Sequence, residues 1–110
     1  MGMYFQADRA WANATKGVRQ CQKADKLLDK GDVDSAVKHF NKALDYFGTS
    51  VDHLAKAEDD ANVKAGKLFD AGDEELQKAI DKYVDGDTDG AGKYYEKALD
   101  KYDEALELVD

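Results

Sequence analysis

The sequence predicts an all-α fold: a four-helix up-and-down bundle built from two related helical hairpins. Three observations lead there. The stretch Lys23 to Asp45 returns fifty-five positions later as Lys78 to Asp100, an offset of half the 110-residue length. Between positions 17 and 45 that offset gives 13 identities in 29 positions, among them Gly17 with Gly72, Gly31-Asp32 with Gly86-Asp87, and Lys42-Ala43-Leu44-Asp45 with Lys97-Ala98-Leu99-Asp100. A composition this rich in Ala, Asp and Lys would give about three by chance. Apolar residues also recur three and four apart, the spacing that gathers them on one face of a helix. Finally, the chain has no proline, 43% hydrophobic and 36% charged residues, and few strand formers. It forms one domain, residues 1–110, with halves at about 1–58 and 59–110. A chain of this size buries roughly two-thirds of the surface its unfolded form exposes.

The first helix is expected from Met3 to Lys30, with a stripe through Tyr4, Ala7, Trp11, Ala14, Val18, Cys21 and Leu28, widened by Ala10, Ala24 and Leu27. Gly17 lies on that face, where a missing side chain lets another helix come close, at about 1 kcal/mol relative to Ala. Gly72 repeats the arrangement. Gly31 stops the helix because glycine takes the left-handed backbone without a Cβ clash, and Asp32 accepts from the free amides of the next helix. So short a turn makes the two helices antiparallel neighbours.

The second helix carries Val33, Ala36, Val37, Phe40, Ala43, Leu44, Phe47, Val51 and Leu54 and is expected to run to about Glu58, with Gly48-Thr49-Ser50 as a potential kink. Asp59-Asp60-Ala61-Asn62 is the expected connection between halves. The third helix holds Leu68, Phe69, Leu76, Ala79, Ile80, Tyr83 and Val84 and closes at Gly86-Asp87, while Gly72-Asp73-Glu74-Glu75 offers an internal stop and cap. The fourth takes Ala91, Tyr95, Ala98, Leu99, Tyr102, Ala105, Leu106 and Val109, with Gly90 and Gly92 weakening its first turn. Breaks at Gly48 and Gly72 would give the alternative fold, an array of five or six shorter helices.

Each turn with its second helix, Gly31, Ala36, Phe40, Ala43 and Leu44 and then Gly86, Ala91, Tyr95, Ala98 and Leu99, resembles the second half of a tetratricopeptide repeat. The same spacing resembles the microtubule-interacting-and-trafficking domain, a related three-helix module. The likeness covers about 30 residues of each half. The fifty-five-residue period, the missing proline, and first helices without the pattern's tryptophan, leucine and tyrosine depart from the tetratricopeptide form. This resemblance implies a peptide-binding scaffold without catalysis, and in the alternative fold a short tetratricopeptide-like array. The chain also resembles uncharacterised archaeal four-helix-bundle proteins, which implies a fold and no function.

No residue constellation compels a chemistry. Cys21 is the sole cysteine and sits among apolar neighbours, so it reads as a small buried hydrophobe. His39 and His53 are fourteen residues apart, which places them about 21 Å from one another on one side of a helix, too far to share a metal. Asp85, Asp87 and Asp89 lack the glycine placement and closing glutamate of a calcium loop. No nucleophile stands beside a base in a known pattern, and no glycine-rich loop follows a strand. An enzyme is not expected, nor a cofactor or metal. Tyr4, Phe5 and Trp11 are expected to cover Phe47 and Tyr102 at one end of the core, with a cofactor pocket between helices as the lesser reading.

Charge is unevenly divided. The net charge is −8, yet residues 1–30 hold Arg9, Lys16, Arg19, Lys23, Lys26 and Lys30 against three acids, or +3, leaving −11 on the other 80. Arg9, Lys16, Lys23 and Lys30 are seven apart, as are Asp89, Glu96, Asp103 and Asp110. Antiparallel pairing of the first and last helices would set these stripes face to face, Lys30 near Asp89 and Arg9 near Asp110. A heptad projection instead turns the basic stripe almost opposite the apolar one, towards solvent.

The expected function is that of a small non-enzymatic interaction protein, binding a protein partner or forming a homodimer, with a small-molecule carrier and an acidic binder of a basic partner as alternatives. The acidity argues against nucleic acid and anionic membranes. No signal-peptide core, membrane span or myristoylation pattern is expected, since Gln6 stands where the last would need Ser or Thr, and the default location is cytoplasmic.

Overall fold

The computed structural model describes the backbone of residues 2–109 and the side chains of residues 7–109. These residues form four helices and no strand: α1 Gly2–Asp29, α2 Val33–Leu54, α3 Asp60–Asp85 and α4 Thr88–Val109. The helices alternate in direction within a rod of 46 × 18 × 17 Å. Packing is closest inside each hairpin, α1 with α2 and α3 with α4. Between hairpins α2 lies along α3, whereas α1 and α4 approach each other least of the four neighbouring pairs.

The two glycine turns have the same bonding. Gly31 and Gly86 adopt φ of 80° and 89°, open to glycine and strained for other residues. The amides of Gly31 and Asp32 donate to the carbonyls of Leu28 and Leu27, both at 2.9 Å, and those of Gly86 and Asp87 to Tyr83 and Lys82 at 3.1 and 2.9 Å. Orphan carbonyls at each helix end are thereby satisfied. Asp32 and Asp87 then cap the next helices, accepting from the amides of Ser35 at 3.2 Å and Gly90 at 2.9 Å. All four turn residues act as the sequence predicts.

The connection between hairpins falls elsewhere. α2 ends at Leu54 and not near Glu58, and the link is residues 55–59. Leu54 is the last core side chain of α2, 1% exposed, and Ala55 and Lys56 beyond it are exposed, so further turns would have nothing to bury. Asp59 serves as the N-cap of α3, accepting from the Asn62 amide at 3.3 Å. Asp60-Ala61-Asn62, expected as linker, therefore begins a helix.

Neither Gly48 nor Gly72 interrupts its helix, so the bundle has four long helices and not five or six short ones. Packing accounts for Gly72. A Cβ there would stand 2.6 Å from the Tyr102 ring, and one at Gly17 would stand 2.8 Å from the Phe47 ring. Both glycines admit an aromatic ring against the helix backbone. Phe47 and Tyr102 are themselves repeat equivalents, and their rings stack 3.6 Å apart at 11° from parallel. At the waist the order is thus Gly17 of α1, Phe47 of α2, Tyr102 of α4 and Gly72 of α3. Two turns further along, the equivalent pair Phe40 and Tyr95 meets edge to face at 5.0 Å.

Candidate functional site

Two features stand apart from ordinary bundle packing: a buried set of polar groups, and the seam between α1 and α4. The Tyr102 hydroxyl donates to Asp73 at 2.7 Å, and the Tyr95 hydroxyl donates to Asp25 at 3.1 Å. Both tyrosines are buried. Their repeat equivalents are Phe47 and Phe40, and the equivalents of Asp73 and Asp25 are Val18 and Ile80. Wherever the ring gains a hydroxyl, its partner position gains a carboxylate. The two hairpins therefore use one packing plan in an apolar and a polar version.

Burial dominates the electrostatics of this cluster. Desolvation pushes the Asp73 carboxyl up to about 7, with the Asp70 charge adding to it and the Tyr102 hydrogen bond opposing it. Asp25 is raised for the same first reason, against its bond from Tyr95. Cys21, beside Tyr95 and 1% exposed, is pushed up to about 12 by burial and the Asp25 charge. Its thiol is chemically quiet. Both tyrosines are held well above the ordinary phenol range by burial and the neighbouring carboxylates. A perturbed carboxyl often marks a reacting centre. Here, however, Asp73 is occupied by a buried phenol whose ring is stacked against Phe47.

Ser50 supplies another internal tie, its hydroxyl donating to the Ala10 carbonyl at 2.7 Å from α2 to α1. His39 is half-buried beside Gln20, 2.7 Å away. Partial desolvation lowers its pKa, helped by the Lys42 and Lys23 charges. His53 is half-buried. Among the described residues no three His, Cys, Asp or Glu side chains converge on a point a metal could occupy.

The basic residues Arg9, Lys16, Arg19, Lys23, Lys26 and Lys30 are all exposed, as the heptad projection indicates. Of the four basic residues expected to confront α4, Lys16 and Lys23 have neighbours on α2 instead. Lys16 lies over the Tyr46 ring of α2 at 5.9 Å, and Lys23 stands near His39 of α2. At these two positions the stripe borders α2. The shoulder of α1 that does face α4 carries Trp11, Val18 and Asp25, seven apart, fixed by the bond from Tyr95 to Asp25. Asp110, the other proposed partner of Arg9, lies outside the described residues, as do the side chains of Tyr4 and Phe5.

Trp11 is 42% exposed, while Phe47 and Tyr102 close on each other and on the two glycines. Its repeat equivalent is Gly66 of α3, where α2 packs so tightly that a Cβ would lie 3.3 Å from that of Leu54. The two seams between hairpins are related by the repeat, and they differ most at this position. Glycine closes the α2–α3 seam, and indole bulk keeps α1 and α4 apart. Two surface grooves of about 320 and 420 Å³ lie at the ends of the α2–α3 face, away from Trp11, with Val63 and Val84 exposed beside them.

Compared with protein-family models, with curated proteins and with solved structures, the chain has no significant match in any of the three. Among the described residues no helix is long and apolar enough to cross a membrane.

Proposed function

We propose that the chain is a non-enzymatic interaction protein that receives a helix of a protein partner along the seam between α1 and α4. One observation carries the reading: Trp11, the sole tryptophan, stands 42% exposed on the seam where the bundle packs least closely. Large exposed aromatics are costly on a free surface and frequent as anchors in interfaces. Val18, Leu99 and Leu106 are only partly buried against the core and extend the apolar surface along the same seam. The groups with shifted proton affinity, by contrast, are spent on internal bonds, which favours binding over catalysis.

The test is affinity capture with the intact protein and with Trp11→Ala, the variant first shown to keep its helical circular dichroism. The reading expects a partner retained by the first and lost by the second. Turnover of a substrate, or capture indifferent to Trp11, would contradict it.

A further inference from the structure

The α1–α4 seam has rims as well as a floor, and their charge narrows the occupant. Tyr94 packs beside Lys78 of α3, so the opposite shoulder of α4, at Gly92, Leu99 and Leu106, is the one turned to α1. The repeat gives the same assignment, since Val37 and Val51, equivalents of Gly92 and Leu106, line the grooves against α3. Just outside that shoulder stand Asp89, Glu96 and Asp103, all exposed and seven apart. On the α1 side the outward positions next to Trp11, Val18 and Asp25 are Asp8, Thr15, Gln22 and Asp29. These two lines of positions hold five acids and no base, with Arg19 and Lys26 one line further out on α1.

Resting on the reading of the seam as a helix-binding surface, we propose that its occupant is an amphipathic helix whose apolar face is bordered by lysine or arginine. An apolar ridge of such a helix covers Trp11 and Leu99, while its flanking cations meet Glu96 and Asp103 on the α4 rim. Charge complementarity of this kind speeds encounter and rejects acidic competitors more than it adds affinity. A second copy fits poorly. A two-fold dimer that set one acidic α4 rim against another would meet like charge, and Lys16, a base that could answer it, lies on the far shoulder of α1 beside Tyr46.

Trp11 is a built-in reporter. The purified protein is titrated with a synthetic Leu/Lys helix of about 20 residues, long enough to span α4, and with its Leu/Glu counterpart, following indole emission. The expected result is a saturable blue shift with Leu/Lys, weakened about tenfold or more by high salt, and no shift with Leu/Glu. The double variant Glu96→Lys and Asp103→Lys, at exposed positions, should lose the Leu/Lys shift while keeping its helical circular dichroism. A shift from both peptides alike, or from Leu/Glu alone, would overturn the charge assignment and leave the seam as a binding surface. Silence of Trp11 to both peptides would overturn the seam and the charge assignment together.

Discussion

The ring of Tyr102 lies 3.6 Å from that of Phe47, nearly parallel to it, with its hydroxyl donating to Asp73 at 2.7 Å. This contact joins the two hairpins at equivalent positions of the repeat. It also carries a chemical difference between them at the waist, a phenol and carboxylate in place of phenylalanine and valine.

The glycines beneath those rings give the first prediction. Gly17→Ala and Gly72→Ala each gain up to about 1 kcal/mol of helix propensity, but each new Cβ meets an aromatic ring closer than 3 Å. Net destabilisation of about 1–3 kcal/mol is expected by urea unfolding. At Gly48 nothing lies within 4 Å of the added methyl, so Gly48→Ala should stabilise by about 0.5–1 kcal/mol.

Tyr102→Phe removes the donor to Asp73 and leaves a largely buried carboxyl without its bond, at a cost of about 1–3 kcal/mol. Adding Asp73→Val rebuilds the apolar version seen at Phe47 and Val18. The double variant should recover most of the lost stability, and a double-mutant cycle would measure the coupling.

The pH dependence of stability follows from Asp73. Its carboxyl goes from an ordinary 3.8 to about 7 on folding, so the folded chain holds that proton more tightly than the unfolded one. The favourable contribution is fully present below about pH 4 and is lost as pH rises towards about 7. Asp25, raised in the same direction, acts with the same sign. Asp73→Asn keeps an acceptor for Tyr102 and removes the charge. It should flatten the pH profile between those limits and be more stable than the parent at pH 8, as measured by denaturant midpoints.

Cys21 should be inert in the native protein. With the thiol buried and its pKa pushed up to about 12, an aromatic disulfide reagent should label it only as fast as the bundle opens. Labelling as rapid as that of a free thiol would contradict the packing described.

Much of the fold is legible in the sequence because the repeat marks it. Gly31-Asp32 and Gly86-Asp87 announce turn and cap at once, and Gly17 with Gly72 on an apolar face announces close approach. Trp11 was not legible in this way. Apolar spacing groups it with Tyr4 and Val18, but a period of three and four cannot separate the centre of a stripe from its shoulder. The sharper signal is where the halves disagree: Trp11 against Gly66, Val18 against Asp73, and Asp25 against Ile80. The flank of the basic stripe is hidden for a related reason. Seven-residue spacing defines a line along α1 without saying which neighbour flanks it, and Lys16 over Tyr46 answers that question.

The most direct measurement is the solution mass by light scattering, over a range of concentrations at low and high salt. An α1–α4 seam reserved for a partner predicts a 12.2 kDa monomer throughout. A dimer that high salt does not dissolve, and that Trp11→Ala does, would contradict the account, because a second copy would already cover the surface assigned to the partner.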